Sequence, residues 1–184
     1  MRYVEPIRDE EQLEDFKEYL KGKSERDYVL FLTGIHTGFR VSDILQLRVK
    51  DVRGTHIRVI EMKTGKPKRV IISPELKRAL KHFIAGRKDK EYLFPSHKRT
   101  KSGKQKPISR VRVYQIFNEA AQAIGLRDNI GTHTMRKTFG YHFYKKYGDV
   151  ASLQKLFNHA TQDITLMYIG VEQDDIDKKV SHLF

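Results

Sequence analysis

The chain has 184 residues, 39% of them hydrophobic, and carries 36 Lys and Arg against 23 Asp and Glu, a formal charge of +13. That length suits one domain with a real core, and the charge ranks a polyanion first among partners, with nucleic acid the first candidate, a bias that ribosomal and membrane-surface proteins share. The absence of cysteine rules out disulfides, thiolate metal sites and a cysteine nucleophile. No apolar run approaches the roughly 18 residues that cross a bilayer, and the charged start MRYVEPIRDEEQ has no signal-peptide stretch. Action in the cytoplasm without a membrane partner is the expectation.

The first helical signal opens at Asp9, with Gln12 three residues on and Leu13, Phe16 and Leu20 at core-facing spacing, and Gly22 should stop it. Ser24 and Asp27 make a second capping signal, followed by a stripe of Tyr28, Phe31, Leu32 and Ile35 that ends near Gly38. A short helix should run from about Val41 to Leu47. Between His56 and Ile72 the runs HIRVIEMK and KRVII flank Thr64-Gly65-Lys66-Pro67, a turn-like tetrapeptide, and read as a β-hairpin. Ser73-Pro74-Glu75 starts another helix, with Leu76, Ala79, Leu80 and Phe83 on its buried face and an end near Gly86.

From His97 to Arg110 the chain carries Lys98, Arg99, Lys101, Lys104, Lys106 and Arg110 without apolar periodicity, which predicts a mobile basic loop suited to a DNA backbone. Val113, Ile116, Phe117, Ala120 and Ile124 then share a helix face, with a stop at Gly125 and a break at Gly131-Thr132. A long helix follows from about His133 to Tyr147, with short segments near Leu153–Phe157 and Thr161–Met167. A last helix shows Ile176, Val180, Leu183 and Phe184 on one face, Asp174 and Asp175 early and Lys178 and Lys179 late, as the helix dipole prefers.

The sharpest local signal is THTMRKTFG, in which His133 and Arg136 lie three apart, and so on one helix face, close to an N-terminus that favours an anion. His159 and Tyr168 sit nine apart in LFNHATQDITLMYIG, and Arg40 follows a helix stop in TGIHTGFRVSDILQL. Alone, each has a bland reading as a cap, a half-buried core tyrosine or a solvated arginine.

Taken in order, Arg40, Lys63, His133, Arg136, His159 and Tyr168 resemble the active-site series of the tyrosine recombinases, the phage-integrase-like enzymes. TGFRVSDILQLRVKDV is similar to the family's first-arginine box, MKTGKPKRVIIS to its lysine hairpin, HTMRKTF to its His-x-x-Arg box and LFNHATQDITLMYIG to its His-to-Tyr box. The resemblance covers nearly the whole chain. It implies an α+β, mainly α-helical catalytic domain with a small antiparallel sheet over residues 1–184, without the family's N-terminal core-binding (SAM-like) domain. Asn158 stands where the family commonly has Gly, and Lys137, where many members carry His, is expected on the rim of the site.

The implied chemistry is site-specific recombination: transesterification of double-stranded DNA through a 3′-phosphotyrosyl bond to Tyr168, with release of a 5′-hydroxyl. Arg40 and Arg136 would hold the phosphate, since arginine's charged planar fork meets phosphate oxygens two at a time. The Tyr168 phenol, ordinarily near pKa 10, would lose its proton to surrounding positive charge or a nearby base. Lys63 matches the family's general acid, with Lys66 its rival, and His133 and His159 would bond the phosphate or assist proton transfer. No cofactor or metal is expected. A tetramer on DNA and a monomer when free are implied, the apolar face of the last helix offering a surface for exchange between subunits. A type IB topoisomerase-like enzyme would use similar chemistry, and the alternative of another class is a non-catalytic DNA-binding module or regulator derived from a recombinase.

Overall fold

The computed structural model describes residues 4–98, 100, 102–171, 177–178 and 180–183. Among them are eight α-helices and one two-stranded antiparallel sheet. Helix α1 (Glu10–Lys23) starts where Asp9 accepts a hydrogen bond from the Gln12 amide at 2.8 Å. It does not stop at Gly22, which lies exposed inside it. It ends at Ser24, whose amide still bonds to the Leu20 carbonyl while its hydroxyl caps α2 (Glu25–Thr37) at the Asp27 amide. One extended residue thus closes one helix and opens the next, and a single solvent-facing glycine costs too little, about 1 kcal/mol, to break a helix held at both ends.

Helix α2 is the central element, packing against α1, α4 (Pro74–Phe83) and α6 (Thr134–Tyr147). The rings of Phe16 on α1, Phe31 on α2 and Phe117 on α5 (Arg110–Ala123) lie 4.7–5.8 Å apart and all are buried. Truncating any of them to alanine should cost about 3–5 kcal/mol. Gly34 of α2 meets Met135 of α6 so closely that an added Cβ would lie inside the methionine side chain. Gly38 closes α2 in the left-handed region (φ 63°) and turns the chain into α3 (Val41–Gln46).

A second apolar cluster forms where Leu153 and Phe157 of α7 (Val150–Phe157) meet Ile169 of α8 (Gln162–Ile169). Gly140 of α6 allows this approach, because a Cβ there would sit 2.6 Å from Ile169 and 2.9 Å from Phe157. Helix α6 therefore touches the main core with its N-terminal turn and the second cluster with its middle.

The hairpin pairs β1 (His56–Ile60) with β2 (Pro67–Ile71) in the register Arg58 opposite Arg69. Strand β1 is shorter than the predicted run HIRVIEMK, β2 has the length of the predicted KRVII but lies one residue earlier, and Glu61–Lys66 make the connection, closed by Glu61 N–H to Lys66 O and Gly65 N–H to Glu61 O. The basic segment predicted to be a mobile loop carries a bridge between Pro95 and Pro107 and a turn joining Thr100 to Lys104. Lys98, Lys104, Lys106 and Arg110 are exposed there, while Arg99 and Lys101 lie outside the described residues. Of the apolar face predicted for the last helix, Val180 and Leu183 are exposed, and Ile176 and Phe184 lie outside the described residues, as do Asp174, Asp175 and Lys179. No described helix is long and apolar enough to cross a membrane.

Candidate active site

The site is built around the first turn of α6. His133 occupies the N-cap position without capping, and its Nδ1 instead lies 3.2 Å from the Tyr168 hydroxyl. One turn on, Arg136 is 2% exposed. Its Nη1 donates to the carbonyl of Gly38 at 2.5 Å and its Nη2 to that of Phe157 at 2.8 Å, while the guanidinium carbon stands 4.1 Å from the centre of the Phe157 ring. Burial pushes its pKa down to about 10, so it stays charged at neutral pH. The two carbonyls belong to helix ends, where backbone acceptors have no intrahelical partner, so this charged side chain closes α2 and α7.

Arg40, at the start of α3 after the left-handed Gly38, reaches Glu61 with Nη1 2.7 Å from Oε1. Glu61 is 2% exposed, accepts from Thr64 at 2.8 Å and from Lys68 at 3.2 Å, and its carboxyl is held below the usual range, these partners outweighing burial. Asp43, one turn into α3 and also buried, accepts the Met62 amide at 3.0 Å and so ties the hairpin to the helix that carries Arg40.

His159 follows Asn158, the non-glycine residue with positive φ (55°) among the described residues. Asparagine tolerates the left-handed C-cap that glycine usually fills, so the departure at this position leaves the turn intact. Gln154 donates to the carbonyls of His159 and Ala160 and fixes the loop, and Thr165 holds the His159 Nδ1 at 3.1 Å. The His159 ring stands 5.1 Å from that of Tyr168. Burial, then the charges of Arg136, Arg40, Lys68 and Lys63, pushes the pKa of His159 down to about 4; burial and nearby cations also lower that of His133. Both imidazoles are neutral at neutral pH.

Tyr168, half-buried near the end of α8, rests edge-on against Phe157 and His159. Beneath it lies Lys137, with Nζ 5.2 Å from the ring centre and the side chain 4% exposed. The position predicted on the rim is thus buried behind the phenol, because one residue past Arg136 the helix has turned by about 100° toward α8. Desolvation pushes the Lys137 pKa down to about 8.

Five of the six residues singled out in sequence, Arg40, His133, Arg136, His159 and Tyr168, come together in one basic cluster. Lys63 is exposed in the hairpin turn, its charge felt by His159, and Lys66 bonds to the Asn158 side chain at 3.3 Å. Sequence reasoning missed Glu61, Asp43 and Lys68. Lys68 had a signal, since the two-residue period of the strand puts it on the same face as Val70 and Ile72. A groove of about 600 Å³ beside Lys17, Phe139 and Phe143 contains none of the six. Among the described residues no cluster of three or more His, Cys, Asp or Glu side chains is placed to hold a metal ion.

Residues 8–174 match the family described as "Phage integrase family". The probable integrase/recombinase YoeC of Bacillus subtilis (strain 168) is 47% identical over 175 residues, covering 95% of this chain and 93% of YoeC. Relatives at 26–29% identity, named tyrosine recombinases, are matched over about half of their own length. Among solved structures, the XerA recombinase superposes with a TM-score of 0.75 at 19% identity, covering 99% of this chain and 65% of that one. XerH bound to its difH substrate gives a TM-score of 0.70 at 20% identity, covering 100% and 56%. At these identities the structures establish a shared fold.

Proposed function

The chain belongs to the phage integrase family and is a tyrosine-type site-specific recombinase, and from that premise we propose that it breaks and rejoins double-stranded DNA through a phosphotyrosine at Tyr168. The carrying observation is the convergence of the Tyr168 hydroxyl, the His133 Nδ1 and the Arg136 guanidinium at one end of α6, with Arg40 and His159 beside them.

A DNA phosphodiester is anionic and repels a nucleophile, so cations that bind the non-bridging oxygens more tightly in the pentacoordinate transition state lower the barrier. Arg136 and Arg40 supply that charge from a desolvated pocket, where it is worth more than in water. The Tyr168 oxygen attacks phosphorus and its proton passes to neutral His133, whose lowered pKa leaves Nδ1 able to accept in the matching tautomer. The bond to the 5′ oxygen breaks, and that oxygen takes a proton from Lys63. Lys63 is supported by its exposure in the hairpin turn and by its charge being felt at His159, and Lys66, tied to Asn158, is the less available donor. His159 donates a hydrogen bond to a phosphate oxygen in the tautomer that carries its proton on Nε2, in which the Thr165 hydroxyl turns from the Thr161 carbonyl to the His159 Nδ1. Reversal with a different 5′-hydroxyl rejoins the strand without ATP. The catalytic unit spans residues 1–184, works on DNA as a tetramer and is a monomer when free, in the cytoplasm.

The test is a pool of nicked duplexes of randomised sequence, incubated with the protein in EDTA and resolved on a denaturing gel. A covalent protein–DNA band from the wild type, absent from Tyr168→Phe, is expected. No band, or an equal band from Tyr168→Phe, removes Tyr168 as nucleophile.

A further inference from the structure

Two groups in the pocket have no part in the reaction above. Glu61 is a carboxylate buried where an anion is to bind, and one of its oxygens, Oε1, is shared by Arg40 Nη1 at 2.7 Å and Lys68 Nζ at 3.2 Å. Lys68 projects from the inner face of β2, with Arg136 from α6, Glu61 from its own hairpin and Arg40 at the start of α3 acting on its charge, its own charge in turn felt by His159 on the α7–α8 loop, and the Phe39 ring 5.9 Å away. One cation neutralises one carboxylate, and Glu61 faces two, so the cluster keeps a net positive charge. Here two cations from different elements converge on a single oxygen beside a third, which is the arrangement a phosphate oxygen would meet.

We propose that Lys68 is a third cationic ligand of the scissile phosphate and that Glu61 holds the phosphate's place between Arg40 and Lys68 until DNA arrives. The proposal rests on the reading of the Arg40–Arg136 pocket as the phosphate site. When the phosphate enters, Arg40 and Lys68 turn from the carboxylate to its oxygens, and Glu61 keeps its bond from Thr64. Burial and the neighbouring guanidiniums depress the Lys68 pKa to about 8, so the ammonium is weakly solvated and gains more from an added anion than a surface lysine would.

Inorganic phosphate on the whole, unmodified chain is the first probe. The lysine ε-carbon resonance of Lys68, assigned by its loss in Lys68→Arg, should titrate near pH 8 without phosphate, and saturating phosphate should raise that midpoint by about one unit or more. A midpoint that phosphate leaves unmoved overturns the proposal. Glu61→Gln, which removes the competing charge and keeps an acceptor for Thr64, should bind phosphate several-fold more tightly; weaker binding in a variant that melts like the wild type overturns the place-holding role.

The nicked-duplex pool gives the second readout. Lys68→Gln should slow adduct formation about tenfold and Lys68→Arg should restore most of the rate. The fall in second-order rate above about pH 8 should be present in the wild type and gone in Lys68→Arg, which a merely structural lysine would not produce. Adduct from Lys68→Gln at the wild-type rate sinks this proposal and leaves the recombinase reading standing. Absence of adduct from the wild type sinks that reading, and the phosphate titration still decides the role of Lys68.

Discussion

Arg136→Lys should cost fold stability as well as activity, and the two arginines of the pocket should differ in this respect. Arg136 is 2% exposed and bonds two carbonyls from different helix ends while lying over the Phe157 ring. A lysine ammonium can satisfy one of those carbonyls and leaves the other buried without its donor, at roughly 1.5–3 kcal/mol for a hydrogen bond to a charged group. The lost ring contact adds about 1–2 kcal/mol in a desolvated site. The expected loss is about 3–5 kcal/mol, which at roughly 2–4 °C per kcal/mol for a chain of this size lowers Tm by on the order of 10 °C. Arg40 holds one carboxylate oxygen at a partly exposed position, and a lysine can keep that ion pair. Its loss should stay below about 1.5 kcal/mol. Thermal and urea unfolding of Arg136→Lys and Arg40→Lys beside the wild type decide the matter. Equal shifts in the two variants, or an Arg136→Lys protein melting within about 2 °C of the wild type, would refute the bracing role.

Gly38→Ala should be destabilised by about 2–5 kcal/mol, combining roughly 1–2 kcal/mol for a left-handed alanine with the overpacking of a Cβ 2.5 Å from Phe139, and should lose adduct formation because the Gly38 carbonyl carries Arg136; equilibrium unfolding and the nicked-duplex gel measure both effects. Asn158→Gly should raise stability by a few tenths to about 1 kcal/mol, since glycine occupies φ 55° without a Cβ penalty and the lost Lys66 bond is exposed; a clear drop in urea midpoint would count against the cap. His159 and His133 have folded pKa values below the unfolded value near 6.5, so as pH falls below 6.5 the unfolded chain binds protons that the folded chain refuses, for His159 down to about pH 4. Their contribution is present above pH 6.5 and is lost as pH falls toward 4. Unfolding midpoints at pH 7 and 4.5 should show the decline, and His159→Gln should flatten it.

The helices were legible because their starts and stops are local chemistry. Asp9, Ser24, Ser73 and Ser109 each cap with their own side chain, and Gly38 and Gly148 each end a helix in the left-handed region. Gly22 misled because glycine stops a helix only where the chain must turn, and the turn here is made by Ser24. The interior of the site was less legible. Glu61 sits on the buried parity of β1, after Ile57 and Val59, in a place where an isolated carboxylate would be excluded. What makes its burial tolerable is Arg40, from 21 positions earlier, and Lys68, from seven later. That pairing exists only once α3 and the hairpin are packed together. Lys137 was misplaced for a similar reason, since the sequence gives its angle on α6 but not that α8 covers that angle.

The position of the nucleophile relative to the cations depends on how the two apolar clusters are joined. Arg40 and the hairpin stand on the main core, whereas His159 and Tyr168 stand on the cluster of Leu153, Phe157 and Ile169. Helix α6 belongs to both, through Met135 against Gly34 and through Gly140 against Phe157 and Ile169. Apolar contacts alone fix such a junction loosely, because they carry little directional preference. Arg136 adds the direction: its two bonds fasten the end of α2 to the end of α7 across the junction, one turn from the histidine that touches Tyr168. Arg136, the residue proposed to hold the phosphate, therefore also sets the distance from its charge to the phenol, and a change that moves either helix end should alter the placement of Tyr168 and anion binding together.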